Sequence, residues 1–369
     1  MRQRSWLQLV VVLAILSGAC ATDGGEVTET TEQATTTTVA PATTTTAPAT
    51  TTTQPSESFS LDSVRVAFNA NRDTSIVPDL AAWDAIVERG LALEIIPLTG
   101  AGADVTVAAV LADRADIGYA SLAPLMAAVA QGQDLVAFLP AHAVPYHAVV
   151  AKDDIEEWSD LEGRTVGISS TTDSSYWSLV LVMEKYGADP EAVEWVTVRG
   201  SSDRAAALGA GRIDAGLVIL GMGLPLADDP ELDLHVLGYP GAEDENVLFT
   251  SYFTTREFAE QHPDVVAAFT EEAITQYRVA QDKDAFMALA IPMLVGVQTH
   301  DEISATYDAL MEIGVWKPNA ETWTEQSGDY TGELFATFDV LEDLLRFDDF
   351  ATREFVDAAL ARLGPYEGS

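Results

Sequence analysis

One three-part pattern recurs along this chain: a short apolar run, a loop of polar or glycine residues, and an amphipathic stretch that starts like a helix. Val64-Arg65-Val66-Ala67-Phe68 passes through Asn69-Ala70-Asn71-Arg72-Asp73-Thr74 into a helix expected around Pro78 to Glu88. Leu91 to Leu98 ends in Thr99-Gly100-Ala101-Gly102-Ala103, and Asp104 to Leu111 follows as helix. Ala115 to Tyr119 runs through Ala120-Ser121 into a helix to Ala130, with Pro124 in its first turn. Leu135 to Leu139 is a fourth strand. Parallel strands need a long crossover, usually a helix, so strand, loop and helix in repeated succession dictate an open, mostly parallel sheet. Such sheets bind ligands beyond the carboxyl ends of their strands.

The pattern then restarts. Tyr146 to Lys152, Thr165 to Ile168, Trp195 to Val198 and Leu234 to Leu237 are expected strands, with helices between them and Gly209 to Ile219 carrying a further turn and apolar run. Leu248 to Phe253 is a last strand before a helix-rich tail. Two α/β units joined by extended segments near Tyr146 and Val247 predict two lobes facing a cleft, with the tail returning to the first.

The second unit is organised around Trp158 to Trp177. A turn ending at Gly163 leads into Thr165-Val166-Gly167-Ile168, and Ser169, Ser170, Thr171, Thr172, Ser174 and Ser175 open an amphipathic segment to Tyr186. The backbone N–H groups of a helix start have no partner inside the helix, so they and the hydroxyls suit a polar or anionic ligand. The same residues also read as an N-cap cluster with nothing bound.

The chain has 369 residues, a formal charge of −39 and one cysteine, Cys20. No disulfide framework, cysteine-rich zinc site or thiol nucleophile is therefore expected in the folded part. The acidic surplus repels phosphate backbones and argues against nucleic-acid binding. Arg2 and Arg4 precede an apolar run from Leu7 to Leu16 and the small residues Ser17-Gly18-Ala19, which together describe a secretory leader over residues 1–19. Leu-Ser-Gly-Ala-Cys resembles the lipobox of bacterial lipoproteins, which implies lipidation of Cys20 and an extracytoplasmic, membrane-anchored protein. An ordinary signal peptide cleaved near Ala19 is the alternative. Residues 20–58, rich in Thr, Pro and Ala, cannot offset their ordering entropy and are expected to form a disordered linker. Three further segments are expected: 59–148 as the first part of lobe 1, 149–247 as lobe 2, and 248–369 as the return to lobe 1.

Five stretches carry a resemblance: Leu111 to Gly118, Val149 to Asp154, Asp160 to Gly167, Ala207 to Ala215 and Glu257 to Val266. In this order they resemble landmarks of the substrate-binding proteins of ABC importers, nearest the nitrate, sulfonate, taurine and thiamine-precursor binders. The resemblance implies the type II periplasmic-binding-protein fold and a monomer that captures a small molecule and passes it to an ABC transporter permease. It also implies ligand contacts from Asn69, Asn71 and Asp73, from Thr99, Gly100 and Gly102, from Tyr119 and Ser121, from the hydroxyl cluster, from Met222 and from Tyr252.

Helix starts at these loops favour an anionic group such as a sulfonate. Asp73, Asp104 and Asp173 would instead suit a cation or the N–H edge of a pyrimidine-like heterocycle, with Tyr119, Tyr146, Tyr176, Trp177 or Tyr252 stacking on its ring or packing in the core. His142, His147, His235, His262 and His300 lack metal-ligand spacing. No Gly-x-Ser-x-Gly elbow or P-loop is present, so no catalytic residue, metal or cofactor is expected. An enzyme on the same fold and a ligand-sensing lipoprotein without a permease remain the alternatives.

Overall fold

A computed structural model describes residues 58–98, 101–171, 173–244 and 246–368. These belong to one compact unit, Pro55–Ser369. The leader, Cys20, the linker up to residue 57, and Thr99, Gly100 and Thr172 lie outside the described residues.

Two five-stranded sheets share one strand order. The first contains β1 (Ser63–Phe68), β2 (Ala92–Pro97), β3 (Ile117–Ser121), β4 (Leu135–His142) and β10 (Thr250–Thr255), ordered β2-β1-β3-β10-β4. The second contains β5 (His147–Lys152), β6 (Thr165–Ile168), β7 (Glu194–Thr197), β8 (Ala215–Ile219) and β9 (Leu234–Gly238), ordered β7-β6-β8-β5-β9. β1 runs parallel to β2 and β3, and β6 parallel to β7 and β8. β10 and β5 run antiparallel to both of their neighbours. The expectation of mostly parallel sheets holds, but each sheet has one reversed strand, and in both it is the strand that arrives from the other lobe. Period-two patterning states which residues face a core and is silent on strand direction.

The connections follow from local chemistry. α1 (Val77–Glu88) is preceded by a single 3-10 turn whose N-cap, Asp73, accepts from the Ser75 amide, and Pro78 stands in the first turn of the helix. α2 (Ala103–Leu111) and α3 (Leu122–Ala130) complete the first set of crossovers. Gly102 caps α2 at φ 94°, a backbone region closed to most side-chain-bearing residues. In lobe 2, α4 (Ser174–Lys185), α5 (Ser201–Gly209) and α6 (Leu220–Ala227) follow β6, β7 and β8. A short α7 (Pro240–Glu243) begins the return to lobe 1.

The tail is helical: α8 (Arg256–Gln261), α9 (Pro263–Val279), α10 (Lys283–Met293), α11 (His300–Glu312), α12 (Glu325–Thr337), α13 (Phe347–Phe350) and α14 (Glu354–Leu363). α9 packs between α1 and α14, and α14 also lies on β4. β4 is buried along its whole length although it is the last strand of the sheet order. That edge position tolerates Pro140, which has no N–H to give a ladder. Ala137 on the same edge bridges Ala351, and Thr352 N donates to its carbonyl at 2.9 Å.

The lobes are joined by Ala143 to Tyr146 and by residues 239–249. Where the two connections touch, a Cβ on Gly241 would collide with the backbone carbonyl of Pro145. Only a residue without a side chain permits this approach. In lobe 1, Gly118 similarly lies under the Phe253 ring.

Candidate functional site

The lobes meet where the loop after β1 reaches the start of α6, which follows β8. A Cβ on Gly221, at the start of α6, would lie 3.4 Å from Asp73 Cβ and 3.2 Å from Gln298 Nε2. Gln298 accepts from Thr74 N at 2.8 Å and Thr74 Oγ1 at 2.9 Å, while its buried Nε2 has no partner among the described residues. α11, the next helix, packs on α6. Arg72 is spent locally, donating through Nη2 to the Met293 carbonyl at 2.9 Å.

On the lobe 1 side, Asn69 and Asn71 are half-buried, and Asn69 N donates to the Tyr119 carbonyl at 3.2 Å. The Asp73 carboxylate is buried and accepts from Ser75 N at 2.8 Å and Ser75 Oγ at 2.5 Å. Burial raises its pKa, and the two Ser75 donors oppose that rise. Ser121 is half-buried at the N-cap of α3 and makes no capping bond. Gly102 likewise leaves α2 without a side-chain cap.

Below these loops the polar groups close on themselves. Tyr252 and Tyr277 donate to Asp79 Oδ1 at 2.8 and 2.9 Å, and Trp83 Nε1 donates to Tyr252 Oη at 3.0 Å. Burial pushes the Asp79 carboxyl up to about 7 against the pull of its tyrosine donors. Tyr119 and Tyr252 are each 1% exposed, and their rings meet edge to face at 5.0 Å. Their surfaces are taken up by core packing. His142 Nε2 lies 3.0 Å from the Ser75 carbonyl, and desolvation lowers its pKa to about 4.

On the lobe 2 side, Ser175 Oγ accepts from Ser169 N at 2.7 Å and donates to Ser169 Oγ at 3.1 Å. Asp173 caps α4, accepting from Ser175 N at 3.0 Å. Ser170 is half-buried and Thr171 exposed at the turn; Ser174 is buried. The buried Arg204 guanidinium spans the loop ends, donating through Nε to the Leu217 carbonyl at 2.5 Å and through Nη1 to the carbonyls of Val198 and Arg199 at 2.8 and 2.9 Å. Ser201 Oγ accepts from Ile219 N at 2.9 Å. Neither α5, capped by Gly200, nor α6, capped by Ile219, carries a side-chain cap. His147 is buried beside Arg204 and Asp173; desolvation first, then the Arg204 charge, bring it to about 4, and its Nδ1 lacks a partner among the described residues.

The structure thus brings Asn69, Asn71, Asp73 and Ser121 to the lobe 1 rim, and Ser169, Ser170, Thr171 and Met222 to the lobe 2 rim. It places other candidates elsewhere. Trp177 is buried on α4, its ring 5.6 Å from that of Phe335, and half-buried Tyr176 meets Trp195 edge to face at 5.0 Å. Asp173 spends its carboxylate as a helix cap, as Asp73 does at the rim. Sequence reasoning missed Arg204 and Gln298. An arginine early in a polar helix reads as solvent-facing, and Gln298 lies in a loop far from both units. The one signal near Arg204 was Gly167, where a Cβ would strike Ile213 Cδ1 and lie 3.6 Å from Arg204 Cδ. Among the described residues no group of three or more His, Cys, Asp or Glu could hold a metal ion, and no helix is long and apolar enough to cross a membrane.

A family model described as NMT1/THI5 like matches residues 87–280. A comparison with curated proteins returns no match. Among solved structures, the chain is similar to the ligand-binding component of an ABC-type import system from Staphylococcus aureus with zinc bound, at 13% identity and TM-score 0.65, covering 81% of this chain and 99% of that one. It is similar to the alkanesulfonate-binding protein SsuA from Xanthomonas axonopodis pv. citri bound to MOPS, at 15% identity and TM-score 0.61, covering 79% and 99%. The desulfurization enzyme DszB is matched at 16% identity and TM-score 0.59, covering 82% and 100%.

Proposed function

Because this chain belongs to the NMT1/THI5-like family, whose model spans more than half of its length, we propose that it is an extracytoplasmic solute-binding protein. It captures a small polar organic molecule between its lobes and delivers it to an ABC transporter permease. The proposed ligand is a sulfonate-like anion or a pyrimidine-like, thiamine-precursor-like heterocycle. The observation that carries this reading is the meeting of loops from both lobes at Asp73, Gly221 and Gln298, where α6 starts with α5 packed on it, both without side-chain caps. Free N–H groups and hydroxyls orient an acceptor-rich ligand, and burial between lobes supplies affinity.

Mechanistically, the lobes rotate about the two connections, and ligand contacts made in full only by the closed form shift the population towards it. The closed form is the one a permease recognises. Cys20, as a lipid anchor, keeps the protein at the membrane surface. The DszB fold match and the ABC-import match stand at comparable identity, so turnover is part of the test.

The purified protein is titrated with taurine, alkanesulfonates, nitrate and hydroxymethylpyrimidine while thermal stability is followed. Ligand at a hundred times its Kd stabilises by about 2.7 kcal/mol, a shift of a few degrees. A saturable shift without consumption of the ligand supports the reading. Steady turnover of the same compound assigns an enzyme, and silence across the panel removes the proposed ligand class.

A further inference from the structure

Gln298 and Gly221 meet where the lobes touch, and they bring opposite things to the contact. Gln298 belongs to the tail that returns to lobe 1, and it is held from two sides. Its backbone N–H donates to the Leu294 carbonyl at 3.2 Å, and its Oε1 accepts from Thr74 N at 2.8 Å and Thr74 Oγ1 at 2.9 Å. The next residue, Thr299, starts α11 in a capping box with Glu302, so the side chain leaves a fixed point of the backbone. Two donors on Oε1 settle which way the amide lies. Nε2 is the end turned towards α6, where a Cβ on Gly221 would lie 3.2 Å from it.

Neither lobe answers this amide. Nε2 is buried and has no hydrogen-bond partner among the described residues. Gly221 has no side chain to offer it. Asp73 is the neighbour on the lobe 1 side, its Cγ 3.6 Å from the same Cβ position, but its Oδ1 receives both Ser75 donors. An amide enclosed without an acceptor has given up its bonds to water and made none in exchange. Because Gln298 is tied to Thr74 within lobe 1, parting the lobes leaves the side chain in place and returns Nε2 to water. The contact therefore opposes the approach of the lobes, although Gly221 leaves room for it.

We propose that Gln298 and Gly221 form a device that resists closure: the glycine lets the lobes meet, and the unmet Nε2 donor keeps the ligand-free protein open. The proposal rests on the reading of the chain as a two-lobed binding protein. It adds to that reading the residue that withholds the closed form until ligand contacts offset the enclosed amide. A permease then meets few closed molecules that carry nothing.

Gly221→Ala and Gly221→Ser test this directly, since both add the same Cβ and only the second brings an acceptor to Nε2. Spin labels at Glu88→Cys and Glu191→Cys, with Cys20→Ser, report the distance between the lobes in the full-length protein without any ligand. The ratio of short to long distances should be about tenfold higher for Gly221→Ser than for Gly221→Ala, the ~1.4 kcal/mol of one hydrogen bond. Combined with Gln298→Met, which has no N–H to satisfy, the two substitutions should give equal ratios. If the Gln298→Met protein does not fold, the comparison with Gln298 in place decides alone. Equal ratios with Gln298 in place, in proteins that populate both distances, overturn the proposal and leave the two-lobe reading standing. A tenfold difference that persists with Gln298→Met also overturns it, because the added hydroxyl then acts through another group. One fixed distance in every variant overturns the proposal and the closing of the lobes together.

Discussion

The two lobes share a strand order but finish their sheets differently at the end that faces the other lobe. In lobe 1, the space under β1, β3 and β10 is closed by Tyr119, Tyr252, Tyr277, Trp83 and Asp79, all buried and bonded mainly to one another. In lobe 2, the corresponding space holds the Arg204 guanidinium against backbone carbonyls, with the hydroxyls of Ser169, Ser170 and Thr171 at the rim. One topology therefore supports a closed aromatic platform and an adaptable polar rim. The platform fixes geometry. The rim is built of hydroxyls, with Ser169 held by the buried Ser175.

Variants at both ends test this contrast. The largest effect is expected for Arg204→Met, which strands three carbonyls in the lobe 2 interior and should cost about 3 kcal/mol or more by denaturant unfolding; a loss no larger than that of an exposed arginine would make the guanidinium incidental. Gly118→Ala in lobe 1 forces the Phe253 ring to move and should cost about 2 kcal/mol. Tyr252→Phe leaves Trp83 Nε1 without its acceptor and Asp79 Oδ1 with one tyrosine donor fewer, at about 1 to 2 kcal/mol. The double change Ser170→Ala with Thr171→Ala should leave stability within about 0.5 kcal/mol while weakening binding of whichever ligand the thermal screen identifies. A large fall in melting temperature would show that these rim residues belong to the core.

The shape of the pH profile tests the lobe 1 platform separately. His142 and His147 titrate near 4 when folded against 6.5 unfolded, so their stabilising contribution is present above 6.5 and lost as pH falls towards 4. Asp79 has the opposite sign: raised from 3.8 to about 7, its contribution is present at low pH and lost as pH rises through 7. The opposing slopes partly cancel between about pH 4 and 6.5. Asp79→Asn removes one of them, and the fall in stability on acidification should steepen by about 1 kcal/mol per pH unit. Parallel profiles for the two proteins would show that Asp79 is ionised in the core.

Periodicity carried the fold because strands and helices declare themselves locally. Thr165 to Ile168 was legible to the residue as β6, and the amphipathic segment expected to reach Tyr186 contains α4, which ends one residue earlier at Lys185. The reversed direction of β5 and β10 was not legible, since alternation is the same in either direction. At the rim, loop position relative to a strand end was enough to place Asn69, Asn71, Ser121 and Ser169. Aromatics were the hard case. Tyr119, Trp177 and Tyr252 stand close in sequence to loops, yet one side-chain length of orientation carries them into the core, and sequence spacing does not encode that. Arg204 was hidden for the converse reason, because a charge inside a folded lobe is legible only once the three carbonyls that receive it are assembled from separate segments.

The claim on which the account rests is that the two lobes close on a ligand. We would place spin labels on the exposed faces of the two lobes, at Glu88→Cys and Glu191→Cys, with Cys20→Ser to leave no other thiol, and measure the distance between them with and without the ligand found in the thermal screen. The account predicts a broad or longer distribution in the free protein that narrows to one shorter distance on saturation. A distribution unchanged by a ligand that demonstrably binds would contradict it and make the junction of the lobes a rigid pocket.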